Sequence, residues 1–358
     1  MKTSSRKLLG SVVTTVALLV GVILGGRSLV RAAGDSPAPG PSGYHLKKKI
    51  KVGGEGGWDY ITFDSATRRL FISRGTRVMV LDVDSEKVVG EIPETPGVHG
   101  IALAPELNRG FISNGRGNNV TIFDLKTLAT LGHVAAGQNP DAIIYDPSVK
   151  RVFAMNGRSG DVTVIDATTG KVAGTVPIGG KLEFAATDQG RVYVNVEDKN
   201  EIAVIDLELK VAARWPLAPC EDPSGLAIDA AHRRLFAGCG NKMMAVVDAD
   251  TGKVIATPPV GEGVDANAFD PATGFAFASC GGGEGVLTVV HEDSPDKFTV
   301  VENVPTQSRA RTMALDPKTH EVYLVTASFG PRPEPTKDNP QPRPPMLPDS
   351  FVVLVLAR

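Results

Sequence analysis

One sequence period constrains this chain more than any other feature. An aromatic residue inside a short β-type run recurs at Phe71, Phe111, Phe153, Tyr193, Phe236, Phe277 and Tyr323, at intervals of 40, 42, 40, 43, 41 and 46 residues by subtraction. A second marker, the Asp that closes the next run, recurs at Asp82, Asp124, Asp166, Asp206 and Asp248, with His291 in the sixth place. The unit is clearest in Lys150–Gly179, where the runs VFAM, VTVID and VAGTVPI are separated by the turn-type segments NGRSG and ATTGK. Alternating β-branched residues bounded by Gly, Asn and Asp read as strands joined by hairpins. One further run precedes each aromatic: ITF, IAL, AIIY, FAAT, LAI, NAF and TMAL. Four strands repeated about every 40–45 residues are the pattern of a β-propeller blade.

Seven aromatics predict an all-β, seven-bladed propeller of four-stranded antiparallel blades. The last unit ends in FVVLVLAR, one strand short, while Tyr44–Val52 (YHLKKKIKV) has an extended pattern and no partner of its own. The N-terminal strand is therefore expected to complete the C-terminal blade. Packing blades around an axis buries both faces of each sheet and leaves only short edges. An open solenoid is the competing architecture, and it needs end caps that are not visible. The basic cluster Lys47–Lys51 falls on the closing strand, where charge discourages edge-to-edge pairing.

The segments VFAMNGRSGDVTVIDATTGKVAGTVPIGG and VYVNVEDKNEIAVIDLELKVAARWPL resemble the YVTN-type repeats of seven-bladed bacterial propellers. The resemblance covers about Lys51 to Arg358. Its motif residues pack and turn, so it speaks for the fold more than for chemistry. It implies a secreted or cell-surface protein. Some relatives are linked to single-stranded nucleic acid, and more distant propellers include lactonases.

The chain opens with Lys2, Arg6 and Lys7, an apolar run from Leu8 to Leu24, and small residues up to Ala33. Residues 1–33 read as a signal peptide. The run is also near the lower limit for a span, so an uncleaved anchor, with its membrane contact, is the alternative. No Cys follows it to carry a lipid. Residues 34–43 (GDSPAPGPSG) read as a flexible Pro/Gly/Ser linker. Residues 44–358 form the propeller, and the expected state is a monomer. A Pro-rich insertion, residues 329–350, replaces the expected short hairpin of the last unit and must project from or cover one face, as a passive cover or as a docking strip.

Three cysteines fit an exported protein. Cys239 and Cys280 are equivalent positions in neighbouring units, too far apart to bridge. Cys220 and Cys239 fall on one face of one unit, so the alternatives are a Cys220–Cys239 disulfide and free buried thiols. A formal net charge of −2 argues against a general electrostatic grip on nucleic acid.

In a propeller every innermost strand starts at the same mouth of the central channel. Counting back twelve residues from each aromatic, or ten in the fourth unit with its short DQG turn, gives Asp59, His99, Asp141, Glu183, Ser224, Asp265 and Arg311. All are polar, while neighbours such as Tyr60, Ala142, Phe184 and Ala266 are apolar or small. Carboxylates this close repel and should be raised in pKa unless a cation compensates. Two readings follow: a ligand or divalent-cation site, using Asp59, Asp141, Glu183, Asp265 and His99, or a hydrated polar channel. The second hairpin of each unit adds rim candidates. Asn114 and Arg116 match Asn156 and Arg158 one unit apart, followed by Glu197–Asp198–Lys199 and Asn241–Lys242. Asn-Gly is explained by turn geometry, and the Arg residues are candidate anion contacts.

Several enzyme classes fail on inventory. Only His99 of the six His faces the axis, two Trp are too few for a blade-by-blade docking pattern, and no Gly-x-Ser-x-Gly, His-Glu-x-x-His, P-loop or Cys-x-x-Cys-His occurs. Ser224 and His99 lie three units apart, too far for a nucleophile and its base. The sequence reads as a non-catalytic binding scaffold that meets a protein, peptide or small molecule on its axial face. A metal-assisted, lactonase-like hydrolase with His99 as general base, and a single-stranded nucleic-acid binder, are the alternatives.

Overall fold

The computed structural model describes residues 40–337 and 339–358. The signal or anchor segment, and all of the linker before Gly40, lie outside the described residues. Among those described, 28 strands form seven four-stranded sheets. The innermost strands are Ile61–Asp64, Val98–Ala104, Pro140–Asp146, Leu182–Asp188, Pro223–Asp229, Val264–Asp270 and Met313–Leu315. Each touches the next, and the first touches the seventh, so the ring closes.

Both markers of the repeat have physical roles. The aromatics sit on the second strand of each blade and are all buried. Seven hydrophobic clusters lie one in each seam between adjacent blades. The Asp residues end the third strands, or in the fourth blade directly follow it, and cap the turns that follow. Asp166 Oδ1 accepts from Thr169 N–H at 2.7 Å, and Asp82, Asp124, Asp206 and Asp248 make the same kind of bond. These backbone N–H donors hold the Asp82, Asp124 and Asp166 carboxyls below the usual carboxylate range.

The seventh blade is shared by both ends of the chain. Its strands run Met313–Leu315, Val322–Thr326, Val352–Ala357 and, outermost, His45–Lys51. The last pair is antiparallel, with His45 opposite Ala357 and Lys51 opposite Val352. The lysines of this edge strand are tied down: Lys47 to Glu321 at 2.8 Å, Lys48 to Glu86 at 2.6 Å and Lys49 to Gln307 at 2.9 Å. Gly40–Gly43, the end of the stretch expected to be flexible, form a turn in which Ser42 Oγ donates to Glu302 at 2.6 Å.

The Pro-rich insertion is anchored at its base. Gly330 N–H donates to Pro345 O at 2.9 Å, and Phe329 packs 6.0 Å from Trp58, which also meets Phe351 at 5.3 Å. Arg309 and Arg74 lie over the Phe329 and Phe351 rings, at 3.7 and 3.8 Å from their centroids. Cys220 and Cys239 form a disulfide, and Cys280 is a free, buried thiol.

Ile50 is the buried anchor of the closing strand, 1% exposed in the seam between the last and first blades. Ile50→Ala is expected to lower stability by about 2–4 kcal/mol, as core truncations do. Chemical denaturation of the whole chain checks it. A change below about 0.5 kcal/mol would mean that the closing strand contributes little to the ring.

Candidate functional site

Five of the seven inner strands begin with an irregularity. Pairing with the second strand shifts between Val98 and Ile101, Pro140 and Ile143, Leu182 and Ala185, Pro223 and Leu226, and Val264 and Ala266. The residue after the first of each pair is His99, Asp141, Glu183, Ser224 or Asp265, released from the ladder where a bulge can re-aim its side chain. Polar side chains two positions past the aromatic catch the freed backbone groups. Ser73 Oγ accepts from Asp59 N–H at 2.8 Å, Ser113 Oγ accepts from Gly100 N–H at 2.8 Å, and Asn195 Nδ2 donates to Ser224 O at 2.8 Å.

The structure brings the seven counted positions together. Asp59, Asp141, Glu183, Ser224, Asp265 and Arg311 line one cavity of about 500 Å³. His99 joins them, its Nδ1 2.6 Å from Asp59 Oδ2 and 3.6 Å from Asp141 Oδ1. Arg311 bridges two acids, donating to Asp59 Oδ1 at 3.0 Å and to Asp265. Ser224 Oγ donates to Asp265 Oδ1 at 3.1 Å. Across the cavity, Lys181 Nζ reaches Glu183 at 2.9 Å and also pairs with Glu197.

The site is a well, not a channel. Tyr60 and Phe184 come from the first and fourth blades, on opposite sides of the ring, yet their centroids are 4.5 Å apart. They meet at the axis, and both line the cavity as an aromatic floor.

The well is short of positive charge. Asp59, Asp141, Glu183, Glu197, Asp222 and Asp265 line it against Lys181, Arg311 and the His99 imidazole. Burial, opposed by His99 and reinforced by Asp59 and Asp265, pushes Asp141 up to about 6. Burial and the Asp141 charge push Glu183 up to about 8. Burial also raises Asp265, with Arg311 pulling the other way. For His99, burial alone would lower the imidazole, but the bond to Asp59 and the surrounding carboxylates outweigh it and raise it.

Of the ring residues able to ligate a metal, Asp59, His99 and Asp141 bring their ligand atoms within 4.8 Å of one another. Glu183 is held by Lys181, and Asp265 by Arg311. Arg311 therefore sits where an ion bridging Asp59 and Asp265 would sit.

The rim needs one correction. Asn114 and Asn156 are buried rather than exposed on the rim. Their side-chain amides close the hairpins from within, Asn114 Nδ2 donating to Asn119 Oδ1 and Thr121 Oγ1 at 2.7 Å each, and Asn156 Nδ2 to Asp161 Oδ1 at 2.6 Å. Arg116 and Arg158 are exposed, with no acidic partner among the described residues. Sequence reasoning missed Lys181 and Asp222, each two positions before a ring residue. That position is Gly57, Gly97 and Gly263 in three other blades but Asn139 and Arg309 in the remaining two, so the repeat gave only a weak signal for the two charges. The Cys220–Cys239 disulfide braces this wall, because Asp222 and Gly240 both line the well.

Fold and site together define a class, the closed seven-bladed β-propeller with an acidic axial well. No family model and no curated protein sequence matches the chain, so the YVTN-type resemblance rests on its motifs. Solved structures do match. A chain of the crystal structure of the mitotic checkpoint complex superposes with a TM-score of 0.72 at 13% identity, over 96% of this chain and 99% of that one. The RRP9 WD40 repeats give 0.72 at 8% identity, over 90% and 100%. A chain of the Kuenenia stuttgartiensis hydrazine synthase gives 0.62 at 15% identity, over 83% and 95%. At these identities the likeness is one of fold.

Asp141 has a stability consequence. Its proton is held more tightly in the folded chain, about 6 against the ordinary 3.8, so the carboxylate lowers stability as pH rises through that window. Above it the cost is complete. Asp141→Asn is expected to raise stability at pH 8 by roughly 1–3 kcal/mol and to change little near pH 3.5. Denaturant midpoints at the two pH values check this, and no gain at pH 8 would mean that the His99 contact outweighs burial.

Proposed function

We propose that this protein is an exported, non-catalytic binding scaffold of the YVTN type whose axial well takes a positively charged group of a partner. The carrying observation is the charge of the well, six acidic side chains against Lys181, Arg311 and the His99 imidazole over the Tyr60–Phe184 floor. A Lys or Arg side chain, or a primary amine, would let Asp141 and Glu183 ionise together and would lie over an aromatic face. A volume of about 500 Å³ suits a side chain or short peptide segment rather than a folded surface. Export is supported by the leader pattern of residues 1–33 and by the disulfide, since such bonds persist in oxidising compartments. The bridging position of Arg311 favours this reading over metal-assisted lactone hydrolysis. The acidic wall disfavours a nucleic-acid backbone.

The test uses fluorescence anisotropy with labelled peptides carrying a single Arg or Lys in a neutral background, against the same peptides carrying Glu. The basic peptides are expected to bind, and Glu183→Gln to weaken them at least tenfold. Affinity should rise from pH 5.5 to pH 8.5 as Asp141 and Glu183, at about 6 and about 8, lose their protons. Equal binding of the Glu peptide would overturn the proposal. So would lactone turnover that Asp141→Asn abolishes.

A further inference from the structure

A second cluster lies at the opposite end of the blades. We propose that Asp229, His232 and Glu292 form a divalent-cation site, of the borderline kind that Zn²⁺ fills, in the seam between the fifth and sixth blades.

The repeat itself supplies the comparison. In five blades an Asp at the end of the inner strand, or directly after it in the seventh, caps the following turn with its Oδ1. Asp64, Asp146, Asp229, Asp270 and Asp316 accept from the N–H two residues on, at 2.8–3.1 Å. In four of them the second oxygen is also satisfied. Thr67, Thr273 and Thr319 hydroxyls donate to Asp64, Asp270 and Asp316 at 2.6, 2.9 and 2.7 Å, and Gly190 N–H donates to Asp146 at 2.8 Å. In three seams the next blade also brings a basic side chain, three residues before its aromatic: Arg68 onto Asp316, Arg233 onto Asp188 and His320 onto Asp270.

The seam after the fifth blade has neither. The position three before Phe277 is Gly274, which has no side chain to offer. Thr gives way to His232, whose Nδ1 lies 2.7 Å from Asp229 Oδ2 and 3.0 Å from Glu292 Oε1. Glu292 occupies a position that is Val83, Leu125, Ala167, Leu207 and Ala249 in the first five blades. The result is two carboxylates with side chains only 3% and 2% exposed, facing an imidazole 53% exposed. Asp229 Oδ2 and Glu292 Oε1 have the His232 ring nitrogen at ion-pair distance but without hydrogen-bond alignment, and Glu292 Oε2 has no aligned donor. A buried charge in that state is costly unless it is paired or ligates a metal. The three groups, together with Gly274, line a pocket of about 90 Å³, room for an ion and its remaining water ligands. All three ligand atoms lie within 4.8 Å of one another. Two carboxylates and one imidazole suit a borderline ion, and the exposed side leaves a coordination position open.

The test is titration calorimetry with ZnCl₂ on the whole chain, stripped with chelator and returned to metal-free buffer. One Zn²⁺ per chain is expected, with a melting midpoint that rises on binding. Glu292→Gln should weaken uptake at least tenfold. Gly274→Arg should abolish it by supplying the internal cation that Arg68 and Arg233 give their own seams. That change is tolerable, since Arg68 and Arg233 hold the same turn position at φ 58° and a Cβ at Gly274 meets nothing nearer than 3.4 Å. No uptake by the wild type, or uptake unchanged in both variants, would overturn the site. Loss in Asp141→Asn but not in Glu292→Gln would place the ion in the axial well and overturn it equally.

Discussion

Everything in this molecule depends on the antiparallel pairing of His45–Lys51 with Val352–Ala357. Each blade buries its faces only against its two neighbours, so an unclosed ring would leave a sheet face in water at both ends. The closing strand removes that exposure and joins the first seam to the last, where Ile50, Tyr323 and Phe351 share one core cluster. Closure also fixes the angle of every inner strand about the axis. The convergence of seven polar side chains on one well is thus a consequence of ring geometry, reached without any local motif.

Two ends of the same blades treat charge differently. At the well, Arg311 is the internal cation, and it reaches only two of the carboxylates, Asp59 and Asp265. At the opposite turns the repeat supplies a hydroxyl or a cation for nearly every inner-strand Asp, and the chain departs from that habit at Asp229 alone among the five turn-capping Asp residues. Both places hold negative charge that the fold leaves for something else to balance. The first is wide and floored by aromatic rings, which suits an organic cation. The second is narrow and lined by ligand atoms, which suits a metal ion.

Much of this was legible in the sequence because propeller repeats are close to one-dimensional. The period located the blades, the aromatics located the seams, and a count of twelve from each aromatic located Asp59, His99, Asp141, Ser224, Asp265 and Arg311. What escaped were contacts between residues far apart in the repeat. Tyr60 and Phe184 belong to blades three apart, so no local pattern announces that they close the channel. Asn114 and Asn156 looked like surface turn residues, because the bonds that bury them run to Thr121 and Asp161 on the next strand. Glu292 was visible in principle as a charge in a column of apolar residues, but it gains meaning only beside Gly274, a missing side chain on the neighbouring strand.

The shared seventh blade has one more result. His45 faces Ala357 at the lower end of that blade, so the polypeptide enters and leaves the ring at one corner, on the side away from the well. A load applied through both termini would peel this single strand pair from its end and leave the other six blades unstressed until it parted. The ring is mechanically a clasp, and its fastening is the six-partner ladder from His45 to Lys51.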